Sequence, residues 1–185
     1  MKIVSGKYGG RRLQVPKNYD IRPTSDKIRG AIFNMLQSRG AVEHAYVLDA
    51  FCGTGALGLE SLSRGAEFCT FLDKARNSLS LAQENAKLLG AEVDSNFNLK
   101  DAMKYDARTG EEKQYDLIFL DPPYKQDLIT STLGKLISGD WVSDQCWIVC
   151  ESEKSFSLAI PAGFTQDEEK IYGDTKVILL KADSV

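Results

Sequence analysis

Asp121, Pro122, Pro123 and Tyr124 follow directly on the apolar run Leu117 to Leu120. A buried strand therefore ends by presenting a carboxylate, two rigid residues without backbone donors, and an aromatic ring. These groups suit chemistry on the exocyclic amino nitrogen of a flat heterocycle. Such a nitrogen is a weak nucleophile, because its lone pair is delocalised into the ring. Asp121 and the carbonyl of Pro122 are two acceptors that can take both N–H hydrogens and turn the nitrogen toward an electrophile, and paired prolines set that geometry in advance. Tyr124 offers a flat face for a flipped-out base, worth about 1–3 kcal/mol per stacked base. A strand-ending turn with a capping acid would read the same in isolation, so the other candidate residues carry the decision.

The earlier segment "VLDAFCGTGALGLE" places Gly53, Gly55 and Gly58 in G-x-G-x-x-G order after an apolar strand. Glycines there let the backbone approach a ligand and leave helix N-terminal N–H groups pointing at it, although a glycine turn can also simply pack a helix on a sheet. Asp73 lies 20 residues after Gly53, at the end of the next strand, where it can accept hydrogen bonds from both hydroxyls of a ribose. A dinucleotide and S-adenosylmethionine fit these features equally well. Asp49 separates them: a carboxylate before the glycine loop repels a pyrophosphate and attracts the ammonium and sulfonium end of S-adenosylmethionine. Phe51, in the same loop, joins the expected cofactor-binding residues. Asp101 and Ala102 follow the third strand, where an acid can accept from the donor's adenine amino group or can equally cap a helix.

The elements that must position these residues alternate from residue 45 onward. "AYVLDA", "EFCTFLD", a segment near 93–99 and "YDLIFL" read as short strands, separated by "GALGLESLSRG" and "KARNSLSLAQENAKLLG" as helices. A helix near 127–138, the strand "CWIVCE" and two tail strands joined through "YGDT" complete the pattern. Short, almost continuously apolar strands between helices predict a doubly wound, Rossmann-like α/β sheet, mostly parallel with an antiparallel last strand. In such a sheet ligands sit beyond the carboxyl ends of the strands, so residues 121–124 line the same crevice as Gly53 and Asp73. The length of 185 residues and an apolar content of 43% suit one compact unit.

Four cysteines without C-x-x-C spacing and a single histidine, His44, argue against a zinc site or a disulfide framework, and no metal is expected. No segment has the roughly 20 apolar residues of a membrane helix, and the first residues lack a signal-peptide core. A cytoplasmic monomer away from membranes is the expectation.

Charge is distributed unevenly. Residues 1–29 hold eight basic side chains against Asp20 and Asp26, or +6, while the whole chain is −3 and its remainder therefore −9. A polyanion responds to such local potential rather than to the total, though a merely solvated terminus would carry the same charge. "KIVSGKYGGRRLQV" predicts a hairpin around Gly6, Gly9 and Gly10, and "RPTSDKIRGAIFNML" a helix capped by Thr24 or Ser25. Residues 1–40 are accordingly read as a basic extension that docks RNA through Lys7, Arg11, Arg12, Arg22 and Thr24, and residues 41–185 as the catalytic domain. The donor residues all lie outside the arm, so the body is expected to fold and bind donor without it.

The blocks "VSGKYGGRRLQVP", "IRPTSDKIRGAIFNML", "VLDAFCGTGALGLESLSRGA", "FLDPPY" and "YGDTKVILL" resemble those of the bacterial 16S ribosomal RNA guanine-N2 methyltransferase family, RsmD, over nearly the whole chain. The resemblance implies a class I methyltransferase fold and S-adenosylmethionine as donor. It also implies methylation of a guanine N2 in 16S ribosomal RNA, within the 30S subunit or a late assembly intermediate. Asp49, Gly53, Gly55 and Asp73 match the donor site, Asp121 to Tyr124 the catalytic loop, and Arg22 with Thr24 the block before the first helix. Cys52 stands where the family often has alanine, and Gly30 where an acid is common. Two alternatives are an adenine-N6 methyltransferase acting on DNA or RNA, since "DPPY" occurs there too, and a non-catalytic RNA-binding assembly factor. An arm of some 40 residues is small for a separate domain that reads a DNA groove, whereas structured RNA can be recognised by shape. Titration with S-adenosylmethionine discriminates the assembly factor.

Overall fold

The computed structural model describes residues 1–16, 25–123 and 127–183. In chain order its elements are α1 (Asp26–Gln37), β1 (Tyr46–Asp49), α2 (Ala56–Ser63), β2 (Phe68–Asp73), α3 (Arg76–Leu89), β3 (Ser95–Leu99), β4 (Tyr115–Leu120), α4 (Asp127–Ser138), β5 (Val142–Glu153), β6 (Phe164–Tyr172) and β7 (Thr175–Ala182). Among the described residues the strands form a single seven-stranded sheet in the order β3-β2-β1-β4-β5-β7-β6. Strands β1 to β5 are parallel, and β7 runs antiparallel to both neighbours, β5 and β6.

Alternate residues of the central strands enter two different cores, which is why the strands are apolar throughout rather than alternating. Val47, Leu117, Phe119 and Val149 pack with α1, α2 and α3 on one face. Leu48, Ile118, Leu120 and Ile148 pack with α4 and with Tyr105, Tyr115 and Trp141 on the other. All four cysteines are buried and free. No helix among the described residues is long and apolar enough to cross a membrane.

Three local departures from the sequence reading have physical causes. The third strand starts only at Ser95, because Glu92–Asp94 close a one-turn 3-10 helix first. The strand "CWIVCE" begins earlier, at Val142, and is irregularly registered on β4 between Tyr115 and Leu117. The N-terminal hairpin pairs through one antiparallel bridge, Lys2 with Arg12, rather than through two strands. Its ladder stops because the next amides, of Val4 and Ser5, donate to the carboxylate of Glu60 at 2.7 and 3.1 Å. At the turn, Gly6 has φ +83°, and a Cβ there would sit 1.9 Å from the Ser63 carbonyl oxygen. Only glycine allows that approach to the end of α2. For α1, Ser25 is the cap: its hydroxyl accepts from the Ile28 amide at 3.2 Å.

Candidate active site

Strand β1 pairs with β2 on one side and β4 on the other, so the winding direction of the chain reverses between β1 and β4. The crevice of a doubly wound sheet opens at that reversal, beyond the carboxyl ends of the strands. Asp49 ends β1, Asp73 ends β2, and Asp121 follows β4 directly.

The glycine loop is held from three directions. Ala50 N–H donates to the Phe119 carbonyl at 3.1 Å, Cys52 N–H to the Leu72 carbonyl at 3.1 Å, and Gly53 N–H to Asp73 Oδ2 at 3.1 Å. Gly55, with φ +78°, starts α2 in the left-handed region, and a Cβ there would lie 3.1 Å from the Ala82 Cβ of α3. A Cβ on Gly58 would collide with the Phe71 ring at 2.4 Å, so this glycine serves the close packing of α2 on β2. A Cβ on Gly53 would meet only the Phe51 carbonyl, at 4.0 Å, which leaves that stretch of backbone open to close approach.

Asp49 is buried, and its Oδ2 accepts from the Gly58 amide at 3.0 Å. Gly58 is in the first turn of α2, so Asp49 satisfies one orphan donor and sits at the positive end of that helix. Burial nevertheless pushes its pKa up from an ordinary 3.8 to about 7; the Gly58 amide opposes this, and the nearby Asp121 and Asp73 charges reinforce it. Asp73 uses one oxygen for Gly53 and the other for Ala75 N–H at 2.8 Å. A carboxylate has about four lone-pair sites, so each oxygen retains capacity for a ligand hydroxyl. Phe51 is half-buried against the core on the α4 side of the sheet.

Asp101 Oδ1 accepts from the Met103 amide at 3.0 Å and caps the one-turn 3-10 helix Ala102–Lys104. The capping option is therefore the one its side chain adopts, with Ala102 buried beneath it. Pro122 is buried and Pro123 exposed beyond Asp121. Tyr124 lies outside the described residues, as do Arg22 and Thr24.

The basic residues of the arm are differently placed. Arg12 is exposed, and Lys7 faces Asp94 at 3.7 Å and lies 4.9 Å from the Tyr8 ring centroid. Arg11 donates to the carbonyls of Leu88 and Leu89, capping the end of α3. Arg29, counted within the basic segment, is fully buried against Asp26 and Glu60 at 2.8 and 3.5 Å, so its charge is internal. Two buried polar residues escaped the sequence reading. Glu60, fully buried in α2, ties the arm to the body; a lone acid in the apolar run "GALGLESLS" was the signal. Asn85, a polar residue beside the apolar stripe of α3, bonds the Thr54 carbonyl of the glycine loop at 2.9 Å.

The fold recurs in solved structures. A putative methyltransferase, yhhF, from Escherichia coli superposes with a TM-score of 0.88 at 31% identity, covering 100% of this chain and 99% of that one. Magnesium protoporphyrin IX methyltransferase (ChlM) from Synechocystis PCC 6803, solved with bound SAM, has a TM-score of 0.68 at 16% identity, which speaks to the fold alone. The architecture is the Rossmann-like fold of class I methyltransferases.

The family model described as conserved hypothetical protein 95 matches residues 1–181. Ribosomal RNA small subunit methyltransferase D of Escherichia coli K12 is 32% identical over 187 residues, covering 100% of this chain and 91% of that protein. Its namesake from Haemophilus influenzae is 31% identical, covering 94% and 89%. The chain belongs to this family, RsmD.

Proposed function

We propose that the protein transfers the methyl group of S-adenosylmethionine to the exocyclic N2 of a guanine in 16S ribosomal RNA, presented in the 30S subunit or a late assembly intermediate. The observation that carries the reading is the set of three carboxylates, Asp49, Asp73 and Asp121, at the ends of β1, β2 and β4. They lie close enough for the other two to raise the pKa of Asp49. Such a crevice attracts a cationic donor and repels a pyrophosphate. S-adenosylmethionine supplies an electrophilic methyl carbon on a sulfonium. Asp49 faces its ammonium end and Asp73 its ribose, with Gly53 and Gly55 giving close backbone approach and Phe51, Asp101 and Ala102 completing the donor set. Asp121 and the Pro122 carbonyl accept the two amino hydrogens of the base, Pro123 stiffens the turn, and Tyr124 stacks on the ring. As the nitrogen lone pair forms the N–C bond, the C–S bond breaks onto sulfur, and the nitrogen releases one proton toward Asp121 or water. Residues 1–40 serve as the RNA-docking extension, with Lys7, Arg11, Arg12, Arg22 and Thr24 as its contacts, and the ribosomal substrate makes the site of action cytoplasmic.

Donor binding should release a proton. A raised folded pKa means that Asp49 stabilises the free protein in its protonated form; this contribution is complete below 3.8 and lost as pH rises through about 7. A cation beside the carboxylate pulls that pKa down. S-adenosylmethionine should therefore bind more tightly as pH rises toward about 7 and level off above it. Calorimetry in buffers of different ionisation enthalpy would report the proton, and its absence at pH 6 would remove the ammonium assignment.

The substrate class is tested with labelled donor and three acceptors: 30S particles, naked 16S RNA and duplex DNA. Label entering RNA but not DNA is expected. Label entering DNA favours the adenine-N6 alternative, and donor binding without transfer to any acceptor favours an assembly factor.

A further inference from the structure

Asn85 joins two parts of the molecule that the functional reading keeps separate. It is fully buried on α3, one turn beyond Ala82, the residue that abuts Gly55. Its amide nitrogen donates to the carbonyl of Thr54, between the two left-handed glycines of the loop, at 2.9 Å, and to the carbonyl of Gln14 in the arm at 3.1 Å. Its oxygen accepts from the Gln14 amide at 2.7 Å. Both donors and one acceptor site of one side chain are thus shared between the glycine loop and the backbone of the arm. Two further contacts run the same way. The Thr54 hydroxyl lies 3.4 Å from the sulfur of Met1, and Arg11 caps the last turn of the helix that carries Asn85.

We infer that Asn85 is a positioning residue of the donor site and that, through it, the arm segment around Gln14 is a structural part of that site rather than a detachable RNA-docking appendage. The inference rests on the reading of the crevice as an S-adenosylmethionine site. A buried asparagine between two backbone carbonyls and one N–H has no alternative partner in an apolar helix–sheet interface, so the loop and the arm must hold their positions together. The Thr54 carbonyl, held by Asn85, fixes the plane of the Thr54–Gly55 peptide. That peptide carries the Gly55 N–H, which donates to the Cys52 carbonyl at 2.7 Å and closes the turn of the loop.

Calorimetry of the full-length chain with S-adenosylmethionine tests this. Asn85→Ala is expected to weaken binding about ten-fold or more at unchanged stoichiometry, since it leaves the Thr54 carbonyl and the Gln14 amide unpaired. Gln14→Pro, which removes the arm's N–H and keeps its carbonyl, is expected to weaken it several-fold. Hydrogen exchange on the unaltered protein supplies a readout that needs no variant to fold: the donor should slow exchange at Gln14 together with Gly53 and Gly55. Wild-type affinity in both variants, with the loss confined to thermal stability or to the bound fraction, would make Asn85 a packing residue and overturn the inference, as would donor protection that stops at the loop. A wild-type chain that does not bind S-adenosylmethionine removes the functional reading itself, and this inference with it.

Discussion

Asp121→Ala is expected to reduce methyl transfer by about 10²–10³-fold, the scale for loss of one preorganised polar group at a reacting centre. Its S-adenosylmethionine affinity should stay within a few-fold of wild type. Two electrostatic effects oppose each other there. Removing the charge weakens attraction to the sulfonium, yet Asp121 also adds to the rise that burial gives the pKa of Asp49, so its loss eases ionisation of Asp49 toward the ammonium end. The chemical step has no such compensation, because the amino nitrogen of the base loses the acceptor that turns its lone pair toward the methyl carbon. Asp121→Asn keeps an acceptor oxygen without the charge and should fall between the two. Single-turnover rates at saturating donor separate chemistry from binding. An alanine variant retaining a tenth or more of the wild-type rate would exclude Asp121 from the reacting centre.

Glu60→Ala is expected to destabilise the fold by about 3–5 kcal/mol, the range for removing one partner of a buried ion pair. Glu60 is fully buried, and its carboxylate accepts from the Val4 and Ser5 amides at 2.7 and 3.1 Å and from Arg64 Nε at 2.7 Å, with Arg29 Nε at 3.5 Å. Alanine leaves two buried or nearly buried guanidinium groups and two backbone amides to find other partners. A loss of that size is a large part of the roughly 5–15 kcal/mol that separates a domain from its unfolded state. Deleting residues 1–16 should be as damaging, because Ile3 and Leu13 belong to the same core as α1 and α2. Glu60→Gln, which can still accept from the amides, should lose less. Urea unfolding of the three variants beside wild type gives the comparison, and an alanine variant within 1 kcal/mol of wild type, the scale of a surface pair, would show the network to be of surface strength.

The contrast between these residues shows what could be read before the fold was known. The acids at the ends of β1, β2 and β4 were legible because chain order and apolar strand length already place them at one edge of a parallel sheet. The helix-starting glycines were legible because their type encodes backbone freedom. What Asp49 and Asp73 bond in the free protein was not legible, since the Gly58 and Gly53 amides reach them only through the curl of the loop. The ties between the arm and the body were not legible either. The arm's charge suggested an appendage, but Arg29 is turned inward, Arg11 caps α3, and the hairpin exchanges part of its own ladder for Glu60. Such contacts span from 31 positions, Arg29 to Glu60, to 78, Arg11 to Leu89, beyond the reach of local pattern.

The central claim is that the crevice methylates a guanine amino group on ribosomal RNA. Its most direct test is nucleoside analysis of 16S RNA recovered from 30S particles after incubation with enzyme and labelled S-adenosylmethionine. The account predicts label in N2-methylguanosine, entering about 10²–10³-fold more slowly when Asp121→Ala replaces the wild type. Label in N6-methyladenosine, or the same N2-methylguanosine yield with and without Asp121, would contradict it.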